Sequence, residues 1–398
     1  MIIRTKEKKK TCRRVITIIV FTAVIAASYL CGRFMPRGMA DSYSREVFPL
    51  LASFSQRLSA LTDISLTEFT VLILGSLALP LLIVWIVFLI KKSLTKGVKE
   101  FLYKSLRNVL AVSMVVLILF EMFHGINYRR TPARTLLGLG TGKLTLDDYC
   151  EAYEWAYQGM LKARTELKEN EKGVSVMSTD FNGISEHASK IVDSFCASYG
   201  VAPYVSYCRA KSVRLSHYWS WTYIVGLYNP IYGEANINTD YLDTTELPVS
   251  ICHELCHAKG FANETDCNLL AALACVTSDR ADFRYCGYYT IFVNLLGVIQ
   301  YNINTVGFEY DTHLQDEAII PVILDSQASN DYWRSIDKEV KDFEERTGIN
   351  ITKQALAAND KYLQSNGEKE GEKTYNVPQN EYVDFYLKFF SQKGGQNA

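Results

Sequence analysis

Two histidines four residues apart with a glutamate between them, His253-Glu254-Leu255-Cys256-His257, are the residues of this chain best suited to chemistry. On a helix, positions four apart share a face about one turn apart, so both imidazoles can be aimed at one ion. Zinc suits such a pair, with Zn–N of about 2.0–2.1 Å and a tetrahedral preference. Glu254 stands on the flank of that face, where it can reach a metal-bound water as general base without being a ligand. Three fixed residues in five positions are a weak signal alone, so the neighbouring sequence has to decide.

The residues that follow make a metal site plausible. Gly260 can end the motif helix and Asn263 can cap the next one, a turn that returns early residues of the second helix toward the histidines. In the metzincin pattern a histidine or aspartate stands three residues after the glycine; here that position is Asn263, which does not fit. Glu264 and Asp266 remain, with the cysteines as thiolate alternatives. Glu264 precedes Asn268 by four residues. In zincins with a glutamate ligand (gluzincins), that spacing lets the first residue bind metal and the second orient a histidine. Asn268 can accept a hydrogen bond from an imidazole N–H for that purpose. The favoured set is therefore His253, His257 and Glu264 as zinc ligands, with Asn268 behind them and Asp266 as the alternative third ligand. Cys256 could reach the same face, but cysteine more often serves as a small buried hydrophobe.

Other candidates lie farther off. The stretch "GEANIN" reads as the strand bordering a substrate cleft, where zincins often hold extended peptide by main-chain pairing. Glu234 and Asn236 would line that cleft, with a structural turn role as the competing reading. A phenol near the metal could stabilise an oxyanion. From 25 tyrosines, Tyr285 in "RYCGYYT" is the choice, ahead of Tyr288 and Tyr289. His217 could assist the same step, and His124 sits at the outer end of the third apolar run; a lone histidine is more often structural. Cys150, Cys196, Cys208, Cys267, Cys275 and Cys286 are available for disulfides whose pairing sequence does not give.

The elements that must position these residues begin with three apolar runs, at residues 15–34, 69–90 and 109–123. A bilayer core of about 30 Å needs about 20 apolar residues as helix. The expected spans are about 15–35, 69–90 and 106–126. The first lacks a clean small-x-small cleavage site before Arg33 and reads as a retained anchor. Lys8, Lys9, Lys10, Arg13 and Arg14 precede it; Lys91, Lys92, Lys96, Lys99, Lys104 and Arg107 lie between the second and third. Both clusters belong on the cytoplasmic side. A membrane domain of residues 1–127 would then carry an extracytoplasmic domain of residues 128–398. Expected partners are the lipid bilayer and a peptide or protein substrate. The formal net charge of −1, with no recurring basic patch, gives no reason to expect nucleic acid.

Residues 128–398 read as mostly helical, mainly α within an α+β class. Thr145 is a candidate cap for a long amphipathic helix. β-Branched and aromatic residues alternate around Gly226, Pro230 and Gly233, a strand-and-turn composition just upstream of the motif. The run "GLYNPIYGEANIN", followed by "LPVSICHELCHAKGFANETDCNLLAALAC", resembles the DUF3810 family of bacterial membrane proteins. "FHGINYRRTP" and "NDKYLQSNGEKEGEKTYNVPQ" resemble family segments too, so the likeness covers nearly the whole chain. It departs at Asp266, usually glutamate, and Cys267, usually alanine; the first change keeps a carboxylate. The resemblance implies a zincin-like domain on a three-span anchor, with zinc metallopeptidase activity. The alternative is a non-catalytic receptor or assembly protein that keeps the fold around structural zinc. An intact Glu254 favours the enzyme, because a closed structural site needs no carboxylate there.

Overall fold

The computed structural model describes residues 2–95, 97–140 and 142–391; Lys96 and Ala398, which figure in the topology and domain expectations, lie outside them. Among the described residues, three helices are long and apolar enough to cross a membrane: α1 (Ile2–Phe34, apolar from Lys10), α3 (Leu66–Leu94) and α4 (Val98–Phe123). At most 6% of their most apolar windows is buried inside the protein, so lipid is the environment that fits them. α4 ends three residues earlier than hydropathy suggests, because the chain tightens into a 3-10 turn at Gly125–Arg129. At the other end of the spans, Lys10 and Arg14 both pair with Glu100, and the Arg14 guanidinium lies over Tyr103. Lys104 of the second cluster pairs with Glu100 as well, so residues of both basic clusters gather at one end.

Between α1 and α3 lies α2 (Phe48–Ser59), which hydropathy assigns to the membrane unit. Its Gln56 Nε2 donates to the Ala258 carbonyl at 3.1 Å, and Gln56 Oε1 accepts from the Tyr207 amide at 2.9 Å. α2 thus packs on residues beyond 127.

The rest of the chain is mainly helical, the architecture expected, with a two-stranded antiparallel pair (Lys168–Glu169 with Ser175–Val176) and a separate three-stranded sheet. α5 (Leu146–Thr165) starts at a capping box of Thr145 and Asp148. α6 (Phe181–Ser198) leads to β1 (Ala210–Ser212), β2 (Gly226–Asn229) and β3 (Glu234–Ile237). The strand order is β1-β3-β2, with β1 parallel and β2 antiparallel to β3. The stretch expected to border a cleft is thus the middle strand, and all four of its residues are buried. β2 holds the edge. Beyond the sheet come α7 (Leu247–Ala258), α8 (Glu264–Val276), α9 (Ala281–Val306), α10 (Ile320–Thr347), α11 (Ile351–Asn366) and α12 (Gln379–Phe389). Small side chains let α7, α8 and α9 approach closely. At Gly287 of α9, an added Cβ would meet Cys275 Cβ and the Val276 backbone at 2.8 Å. All ten cysteines are free, including Cys252 and Cys275, whose sulfurs stand 3.7 Å apart.

Candidate metal centre

α7 enters through Pro248 in its first turn and stops at Gly260, whose φ of +77° reverses the chain. Three residues later Asn263 accepts a hydrogen bond from the Asp266 amide at 3.1 Å and opens α8. Glu264, the first residue of α8, is thereby returned to the face of α7 that carries both histidines. Its Oε2 lies 3.0 Å from His253 Nε2 and 3.4 Å from His257 Nε2. The other ring nitrogens face acceptors: Asn268 Oδ1 is 2.6 Å from His253 Nδ1, and the Phe261 carbonyl is 2.7 Å from His257 Nδ1. Asn268 is oriented in turn, its amide donating to the Tyr375 carbonyl at 2.6 Å. With acceptors behind both Nδ1 atoms, the two Nε2 atoms are the ones free to meet a cation beside Glu264.

His253, Glu254, His257 and Glu264 are each only 5–7% exposed. Burial pushes the Glu264 carboxyl up, but the imidazoles beside it outweigh burial and hold it well below the usual carboxylate range. Burial pushes His257 down, and Glu264, seconded by Glu254, reverses that and raises it to about 9. A buried carboxylate between two imidazole nitrogens is a place for one positive charge, either a proton or a metal ion. Burial above all raises the Glu254 carboxyl, against the pull of both histidines. His124, the residue after α4, packs its ring 5.7 Å from that of His257 and is driven down to about 3, first by burial and then by His257.

Glu254 lies beneath the edge strand. A Cβ on Gly226 would come within 2.5 Å of its Oε1, so glycine lets β2 pass directly over the carboxylate. Four tyrosines that sequence reasoning passed over surround the centre. Tyr228 stacks on His257 with centroids 6.0 Å apart, and Tyr375 stacks on His253 at 6.3 Å. Tyr128 and Tyr362 lie close enough to Glu264 to feel its charge, and the buried Tyr128 hydroxyl has no hydrogen-bond partner of ordinary length among the described residues. All four fall within "FHGINYRRTP", "GLYNPIYGEANIN" and "NDKYLQSNGEKEGEKTYNVPQ", the segments that carry the family likeness, but no local pattern says where they fold.

The remaining candidates are placed elsewhere. Asp266 accepts from the Ala133 amide at 2.9 Å, and burial raises it to about 7. Cys267 forms a compact trio with the histidines, the ligand atoms lying within 4.8 Å of one another. Its sulfur, however, sits 3.3 Å from His257 Nδ1 and 3.3 Å from the Phe261 carbonyl. That is the back of the ring, and burial keeps the thiol well above its ordinary value. Cys256 is buried in helix packing. Tyr285 is not brought to the histidines as an oxyanion donor; its hydroxyl donates to Asp325 at 2.8 Å, a carboxylate also held by Arg164 and Ser175. Glu234 and Asn236 do not line a cleft. They form a buried socket for the start of α3, where Glu234 takes Lys211 Nζ at 2.8 Å and the Thr67 amide at 2.7 Å, and Asn236 takes Ser65 Oγ at 2.5 Å. His217 bridges Asp240 and Glu339 near the surface.

The chain is thus a mainly helical protein with three candidate membrane spans and a buried His/His/Glu cluster on adjacent helices. Over residues 43–395 it matches the family described as "Protein of unknown function (DUF3810)", and it belongs to that family. Among curated proteins and among solved structures, nothing matches it.

Proposed function

We propose that the chain is a membrane-anchored zinc metallopeptidase with a zincin-like, glutamate-ligand site. The observation that carries this reading is the convergence of His253 Nε2, His257 Nε2 and Glu264 Oε2. Ligand atoms about 2.0–2.1 Å from a tetrahedral ion stand roughly 3.3–3.4 Å apart. The two carboxylate–imidazole separations, 3.0 Å and 3.4 Å, lie near that spacing. Three protein ligands leave one position open, which is the pattern of catalytic rather than structural zinc. Zinc held there would supply an acidified water and polarise a peptide carbonyl.

The chain's own groups complete the reaction. Glu254 is next to His253 in sequence, outside the ligand trio, and its raised carboxyl suits taking a proton and returning it to the leaving amine. β2, paired on one side only, offers main-chain groups to an extended peptide beside Glu254. Asn268 and the Phe261 carbonyl hold the rings in register. The gathered basic residues belong on the cytoplasmic side, so the site would face outward. The test uses full-length protein in detergent, offered a peptide library. Glu254→Gln should keep zinc while cleavage falls by ~10²-fold or more, and His253→Ala should lose zinc and cleavage together. Undiminished cleavage by Glu254→Gln would contradict the mechanism.

A further inference from the structure

α2 presents two faces of opposite character. Phe48, Ala52, Ser55, Gln56 and Ser59 are buried against the β2–β3 turn and the end of α7. On the other side Val47, Leu50, Phe54 and Leu58 recur at spacings of three and four, and Leu61 extends the same line. This stripe is open: Leu50 is 73%, Phe54 68% and Leu61 82% exposed. Scattered exposed leucines need no explanation, but a continuous apolar line on a helix's outer face marks a surface that something covers.

The chain's own connections say what covers it. α2 joins the end of α1 to the start of α3, which begins at Leu66, only seven residues beyond Ser59. The Tyr43 hydroxyl, on the α1 side, donates to the Met122 carbonyl in the last turn of α4. The stripe is therefore continuous with three helix ends that enter hydrocarbon if those helices span. A helix with an apolar outer face, tethered at both ends to spans, lies in the interfacial plane of a bilayer.

The metal centre is bound to this same layer. Gln56, on the buried face of α2, holds the carbonyl of Ala258, next to His257. His124 joins the end of α4 to the ring of His257 at 5.7 Å. The β2–β3 turn reaches α3 directly, Tyr232 hydroxyl to Thr70 Oγ1 at 2.9 Å. The centre thus stands beside the end of α4, one ring contact away. We propose that α2 is an interfacial helix that seats the site among the lipid headgroups, so that the chain entering it lies on, or emerges from, the bilayer surface. The substrate class rests on the peptidase reading; the seating does not.

The test uses the full chain in lipid nanodiscs. Exposed Cys12 and Cys31 are replaced by serine, and a nitroxide is placed through Phe54→Cys, Leu61→Cys or Lys172→Cys. Lys172 lies in the turn before Ser175, whose hydroxyl meets Thr244 at 2.5 Å near the start of α7, the end away from Gln56. Collision with oxygen and with a water-soluble nickel chelate should place positions 54 and 61 at or just below the headgroups and position 172 in water. Positions 54 and 61 as wet as 172, or shielded from both reagents by a second copy, would overturn the seating. A cleavable sequence is then joined to a membrane anchor by a short or a long spacer. Cleavage should be faster with the short spacer, by about tenfold or more; equal rates would overturn the substrate class. Surface depth with no cleavage of either form would support the seating and count against the peptidase reading alone.

Discussion

Glu234 and Glu264 are both buried carboxylates, yet the partners of one are fixed and those of the other are exchangeable. Glu234 meets a lysine ammonium, the amides of Leu66 and Thr67, and the Ser59 hydroxyl, all permanent donors of this chain. Glu264 meets two imidazole nitrogens, each able to give up a proton to become a metal ligand. The first carboxylate closes a joint between the start of α3 and the sheet. On the proposed reading, the second stands where an ion would replace a proton. Burial alone ranks the two alike; the chemistry of their neighbours separates them.

The largest expected effects test that separation directly. Glu254→Gln should lower cleavage by ~10²–10⁴-fold with unfolding and zinc content unchanged, read by peptide hydrolysis beside metal analysis. Glu234→Ala should do the reverse. It leaves Lys211 charged and buried without its partner, a loss of about 3–5 kcal/mol that would appear as a lowered unfolding midpoint in detergent. Burial pushes the Glu234 carboxyl up, but Lys211 and the Thr67 amide outweigh it and hold it below its ordinary value. Its contribution should accordingly be present above the usual carboxylate range and lost as pH falls through that lowered value.

Smaller effects sharpen the account. Asn268→Ala removes the acceptor behind His253 and should weaken zinc binding by about 10–100-fold in a chelator competition. Because Glu264 raises His257 to about 9, a proton must leave before zinc is bound. Apparent zinc affinity should therefore rise by about tenfold per pH unit below that value, and a flat profile would argue against His257 as a ligand. Tyr285→Phe loses one hydrogen bond to Asp325 and should cost about 0.5–1.5 kcal/mol without touching cleavage. A parallel fall in cleavage would restore its expected role as oxyanion donor.

Local signals in the sequence carried the helix pair well. Gly260 ends α7, Asn263 caps α8, and the Glu264/Asn268 spacing places one residue beside both histidines and the other behind His253. Each of these depends on residues within one or two turns, where helical period and capping chemistry decide the geometry. Tyr128, Tyr228, Tyr362 and Tyr375 reach the centre from separate segments, and only long-range packing brings them there. The same limit explains Glu234 and Asn236. Alternation marked a strand, but whether that strand held the edge or the middle depended on β1 and β2 pairing to either side. Hydropathy likewise found the candidate spans, yet could not show that α2, lying between two of them, packs on the helix that carries the two histidines.

The most direct test of the central claim is the zinc content of the purified full-length protein, measured beside Glu264→Ala and Asp266→Ala. The convergence of Glu264 on the two histidines predicts about one zinc per chain in the wild type. It also predicts near-complete loss in Glu264→Ala and retention in Asp266→Ala. Equal zinc in the wild type and Glu264→Ala would contradict it.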